Sequence, residues 1–285
     1  MSPPSGDVPP PVPESPPAAA PWRGGAVAAS ATCVLAPNPG PMTLDGTNTW
    51  VLSAPGAREG LVVDPGPLHE EHLRAVVRAA DERGVRVVAV LLTHGHADHS
   101  EGARRLAELL RAPVRALDPA HRLGDEGLGE GDVVEAGDLR VDVVATPGHT
   151  GDSLSFVLPA ERLLLTGDTV LGRGTTVVAH PDGRLADYLA SLRRLEVLSR
   201  DGALRAVLPG HGPVLEHPAD VVQAYLRHRE QRLEQVRSAL AAGDRTAREV
   251  VERVYADVPR DVWPAAELSV LAQLEYLGGS APPGR

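Results

Sequence analysis

The sequence predicts an α/β domain followed by a helical segment, and three observations predict it. The apolar, valine-rich run 85–92 reads as a buried strand, and residues 103–110, apolar at helical spacing, follow it after a short polar loop. That alternation of β-prone and helix-periodic stretches continues to about residue 216. Beyond it, β-prone runs stop and three helix-periodic stretches take over.

In chain order, residues 1–22 are rich in Pro, Ala and Ser and bury too little apolar surface to fold, so a disordered tail is expected. An α/β domain is expected over 23–216. It opens with a strand within 23–36, then the turn residues Asn38 to Met42, then a strand over 47–52. Leu61-Val62-Val63 is a strand ending in the turn Asp64-Pro65-Gly66. Residues 69–83 form a helix with Leu73, Val76, Val77 and Ala80 on one face, leaving His69 and His72 expected in solvent. Strands follow over 114–117, 133–135, 139–145, 153–158, 162–166 and 204–208, with a helix at 185–198 and an exposed His121 between strands.

A helical domain is expected over 217–285. Its first helix runs over 217–242, Thr246 and Glu249 form a capping box for the second, and Asp261 caps the third. That third helix holds Glu267 and Glu275 and no arginine, which argues against a DNA-reading helix. Arg227, Arg229 and Arg232 on the first helix are better placed to touch an anion.

Composition narrows the class. The 285 residues are 42% hydrophobic but only 3% aromatic, so the core is aliphatic, and all 28 basic residues are arginine. A net charge of −10 with no basic stripe disfavours duplex DNA as a partner. One cysteine, Cys33, excludes an internal disulfide. No apolar run is long enough to cross a membrane and no signal peptide is evident, so a cytoplasmic protein is expected, with a homo-oligomer left open.

The chemistry concentrates at strand ends. His94, His96, Asp98 and His99 put three imidazoles and a carboxylate within six residues, a strong metal-site pattern. His149, Asp168 and His211 each follow an apolar β run and each stands beside glycine. In an α/β domain such ends gather on one edge, so the four loops together supply ligands for more than one ion.

The His94-x-His96-x-Asp98-His99 pattern resembles the metallo-β-lactamase superfamily. Asn38-Pro39-Gly40-Pro41, Gly46-Thr47-Asn48-Thr49, Gly172 to Thr176 and the C-terminal helices are similar to its beta-lactamase-like protein 2 branch. The resemblance implies a four-layer αββα sandwich with a C-terminal three-helix winged-helix-like domain. It implies two Zn2+ ions, one on His94, His96 and His149, the other on Asp98, His99 and His211, bridged by Asp168; manganese or iron suits the same donors. The activity implied is hydrolysis by a hydroxide activated between two metals, with Asp98 orienting it and receiving a proton. The expected substrate is a phosphodiester in single-stranded RNA, as in an endoribonuclease. Arg173 and His180 are candidate substrate contacts, and Asn48 a supporting hydrogen-bonder. A thioesterase of the hydroxyacylglutathione hydrolase type, acting on a small ester or thioester, is the alternative. A non-enzymatic winged-helix regulator with a metal-sensing domain is the third.

Overall fold

The computed structural model describes residues 20–278; apart from its last three residues, the tail expected over 1–22 lies outside them, as do residues 279–285. Trp22, counted with the tail, packs against the core and donates its indole N–H to Asn48 Oδ1 at 2.8 Å.

Two six-stranded sheets face each other. The first holds, in spatial order, β1 (Gly25–Ala28), β2 (Ala31–Leu35), β3 (Asn48–Leu52), β4 (Glu59–Val63), β5 (Arg86–Leu91) and β6 (Val114–Arg115). The second runs β7 (Val133–Ala136), β8 (Leu139–Ala145), β9 (Leu154–Leu158), β10 (Leu163–Gly167), β11 (Ala206–Pro209) and β12 (Leu215–Glu216). The single first strand expected within 23–36 is a hairpin, β1 and β2.

Helices cover both outer faces. α1 (Glu70–Glu82) and α3 (Ala103–Leu110) pack on the first sheet, and the one-turn α2 (Ala97–Ser100) lies between β5 and α3. α4 (Leu185–Leu198) and α5 (Pro218–Ala241) pack on the second. The result is the four-layer αββα sandwich. Successive strand residues serve different cores: Trp50, Leu52, Leu61 and Val63 point between the sheets, whereas Val51 and Val62 point at α1 and α3. In the second sheet Leu163 and Leu165 face inward and Leu164 faces α4. Both faces of each central strand are therefore apolar, which is why these strands read as unbroken hydrophobic runs.

The C-terminal segment adds α6 (Ala247–Val254) and α7 (Trp263–Tyr276), which close a small core with the end of α5 around Val236, Val250, Trp263 and Val270. Thr246 and Glu249 form the full capping box. Asp261 is not the cap of α7: it lies in a single 3-10 turn, Arg260–Val262, that leads into the helix. Ala272 on α7 joins the core beneath α4 and α5, so this helix is packed against the sandwich. Among the described residues no helix is long and apolar enough to cross a membrane.

Candidate metal centre

Every predicted ligand sits where a strand of the inner sandwich ends. β5 runs into Thr93 and His94, and α2 presents Asp98 and His99, so the expected loop contains a helical turn with His96 at its start. In the second sheet His149 follows β8, Asp168 follows β10 and His211 follows β11. The structure brings all seven side chains together.

Their spacing is informative. Zinc bonds of about 2.0–2.1 Å at tetrahedral angles place neighbouring donor atoms about 3.3–3.4 Å apart. Here His99 Nε2 and His211 Nε2 are 3.2 Å apart, and His211 Nε2 is 3.2 Å from Asp98 Oδ2. Asp168 Oδ1 stands 3.3 Å from His99 Nε2 and 3.4 Å from His211 Nε2. On the other side His149 Nε2 is 3.1 Å from His96 Nδ1 and 3.6 Å from the second oxygen of Asp168. His94 Nε2 and Asp168 Oδ1 are buried with no hydrogen-bond partner of good geometry. Buried polar atoms are seldom left so, and donor atoms at ligand spacing fit a pair of cations.

The ring orientations agree. His149 Nδ1–H donates to Val177 O at 2.8 Å, His211 Nδ1–H to Gly46 O at 3.2 Å, and His99 Nδ1–H to Asp64 Oδ2 at 2.9 Å. Each bond commits one nitrogen and turns the Nε2 atom inward. Asp64 is the anchor of the first loop. It adopts a φ of 51°, strained for a non-glycine residue, and its carboxylate also accepts from Thr93 N and Thr93 Oγ1 at 2.8 and 2.7 Å.

Charge follows from this geometry. Burial opposes a charged His99, but the carboxylates of Asp168 and Asp64 outweigh it and hold that ring well above the usual imidazole range. Burial likewise opposes charge on His211, and Asp168 and Asp98 lift it to about 9. Asp168 itself is held well below the carboxylate range, since His211 and His99 outweigh its burial. The carboxylate side of the cluster thus attracts positive charge strongly. His94, by contrast, is pushed well below its ordinary value by burial and by His99, which leaves it a neutral donor ready to bind an ion.

Asn48 ties the two sheets together beneath the centre. Its amide donates to Pro209 O at 2.9 Å and Gly212 O at 2.8 Å, on either side of His211. At Gly210 a Cβ would stand 2.6 Å from Asp168 Oδ1 and 2.7 Å from His99, so only glycine fits there.

Residues 42–211 match the family described as Metallo-beta-lactamase superfamily, and residues 246–278 match the Beta-lactamase associated winged helix domain. The chain belongs to the metallo-β-lactamase superfamily. It is 35% identical over 254 residues to a Beta-lactamase-like protein 2 homolog of Caenorhabditis elegans, covering 86% of this chain and 83% of that one. It is 34% identical over 245 residues to an Atrochrysone carboxyl ACP thioesterase of Aspergillus fumigatus, covering 80% and 74%. Among solved structures, a beta-lactamase domain protein of Burkholderia ambifaria superposes with a TM-score of 0.74 at 26% identity, covering 92% of this chain and 90% of that one.

Two further sequence candidates, Arg173 and His180, face acidic side chains outside the ligand set. Arg173 pairs with Asp45 at 2.7 Å, next to the Gly46 carbonyl that orients His211. His180 turns toward the C-terminal helices: its N–H donates to Leu268 O at 3.3 Å and its ring faces Glu275, with no contact to the cluster. His72 is not in solvent but 4% exposed, its Nε2 2.9 Å from Thr49 Oγ1. Nor is His121 free of the site. It packs against Gly95 and lines a cleft with His96, Asp118, Thr150, Asp152 and Asp182. Only proximity in the fold reveals that cleft; the three aspartates are scattered over 65 positions and follow no motif.

Proposed function

We propose that this protein is a dinuclear metallohydrolase acting on small acyl thioesters or esters. His94, His96 and His149 would hold one divalent ion, Asp98, His99 and His211 the second, and Asp168 both. Zinc suits these nitrogen and oxygen donors, as do iron and manganese. When bound, such ions supply Lewis acidity, bringing a water's pKa toward neutrality and polarising an acyl oxygen.

The protein's own groups do the rest. Asp98 is the partly exposed carboxylate of the cluster, 30% open to solvent. Burial would raise its pKa, but the His211 hydrogen bond and the His99 charge hold it below the usual carboxylate range. It therefore stays ionised at neutral pH, able to orient an attacking water and take its proton. No Ser or Cys nucleophile is required: Cys33 is buried on β2, 3.2 Å from Asn48 Oδ1.

One observation carries the choice of substrate. His96, the exposed histidine of its ligand group, opens onto a cleft of about 330 Å3 bearing the carboxylates Asp118, Asp152 and Asp182 and no arginine. Three carboxylates repel the successive phosphates of single-stranded RNA, whereas a neutral acyl group enters freely. The similarity to a protein named as a carrier-protein thioesterase points the same way. RNA cleavage is the second reading, favoured by the similarity to the beta-lactamase-like protein 2 homolog. The test is metal-reconstituted protein assayed side by side on acyl-pantetheine thioesters, S-lactoylglutathione and a single-stranded RNA oligonucleotide. Thioester turnover with intact RNA is expected; cleaved RNA with untouched thioesters overturns the proposal.

A further inference from the structure

The strip 175–177 has a second neighbour. Thr176 Oγ1 donates to Asp168 O at 2.7 Å, and Val177 O receives His149 Nδ1–H. The same strip lines a cleft of about 240 Å3 closed by α5 and by the chain from Tyr255 to Ser269. None of the seven cluster residues lines it.

Its two sides differ in chemistry. One turn of α5 contributes His228, Arg229 and Arg232; the facing wall is Met42, Tyr255, Val258 and Val262. Arg229 is only 6% exposed, yet among the described residues no carboxylate pairs with it. Its guanidinium lies 4.9 Å from the Tyr188 ring centre, one terminal nitrogen donates to Thr176 O, and its Nε is buried without a partner. Arg232 lies 4.5 Å from the Tyr255 ring centre and, among the described residues, donates only to neutral oxygens, of Gln235 and Val254. Burying a guanidinium with no counter-ion costs several kcal/mol, and a guanidinium has five N–H donors to satisfy. Burial first, and then the charges of Arg229 and Arg232, push His228 down to about 4, so its ring is neutral at physiological pH.

We propose that this cleft binds a small organic anion, a carboxylate or phosphate carrying a short apolar chain. Arg229 and Arg232 take the head, and Tyr255, Val258, Val262 and Met42 surround the chain. A nucleic-acid strand is a poorer fit, because the positive groups occupy one helical turn and the one aromatic ring of the facing wall, Tyr255, is already covered by Arg232.

Isothermal titration of the full-length protein with hexyl phosphate, hexanoate and 1-hexanol tests this. At least one anion is expected to bind, with hexanol roughly tenfold weaker or worse, the loss of one charged hydrogen bond. Whichever anion is preferred identifies the head group. Arg232→Gln, at a partly exposed position, should weaken anion binding about tenfold and leave hexanol unchanged. Arg229→Lys, which keeps the charge but loses the planar fork, should weaken it too, with circular dichroism reporting the fold. Because anions also ligate metals, His211→Ala is the control, and it should keep the binding. The proposal is overturned if neither anion binds, if hexanol binds equally well, or if binding survives Arg232→Gln and disappears in His211→Ala. None of these readouts passes through hydrolysis, so they stand whatever the substrate of the metal centre proves to be.

Discussion

The first sheet delivers His94, His96, Asp98 and His99 from one strand end and one helical turn, whereas the second delivers His149, Asp168 and His211 from three separate strand ends. The first group is arranged by local backbone and by one carboxylate, Asp64, which reaches Thr93 and His99. The second depends on the registry of β8, β10 and β11 and on Asn48, which reaches across from β3 to both sides of His211. A contiguous site is set by short-range chemistry; a dispersed one is only as accurate as the sheet that carries it. The two groups meet at Asp168, which contacts His99, His149 and His211.

Asp168→Ala breaks the arrangement at that meeting point and should have the largest effect. Hydrolysis should fall to background and bound metal, counted by elemental analysis, should drop sharply. Full activity with unchanged metal would refute the centre. Asp64→Asn tests the contiguous group alone. It keeps the shape but weakens the orientation of His99, and metal affinity measured by competition with a chelator should fall about 10–100-fold.

Asn48→Ala tests the dispersed group. It strips partners from Pro209 O and Gly212 O, and urea denaturation should register a loss of roughly 3 kcal/mol as well as weaker metal retention. If Asn48→Ala lowers metal content without lowering stability, the contrast between local and sheet-borne placement fails.

The smallest effect is a pH slope from His72. Burial holds its pKa at about 4, below the unfolded value of 6.5. Above pH 6.5 the ring is neutral in both states. As pH falls from 6.5 toward 4 the unfolded chain gains a proton that the folded one does not, so stability is lost, by roughly 3 kcal/mol at most. His72→Gln should remove that component when chemical denaturation is compared at pH 7.5 and pH 5. An unchanged slope would mean that the ring is not shielded.

The contrast between the sheets also explains how much was legible in advance. The first ligand cluster declares itself in six consecutive residues. The other three were readable because strand-then-glycine places each at the same edge. The two-sided burial of the strands shows as unbroken apolar runs, and the capping box at Thr246 is a local rule. What escaped were contacts set by tertiary packing. His72 is buried because α1 turns it toward Thr49, and His180 faces Glu275 because the chain before α4 passes beside α7. The carboxylates of Asp118, Asp152 and Asp182 become neighbours only after three loops converge.

The strip 175–177 serves as a party wall: His149 and Asp168 lean on it, and a separate chamber borders it. Efforts to retune what that chamber accepts would jostle the imidazole next door, so laboratory evolution at Thr175 or Val177 should yield altered ion retention alongside altered selectivity. Substitutions on the opposite face, at Val258 or Val262, leave the partition intact and offer the freer route to new specificities.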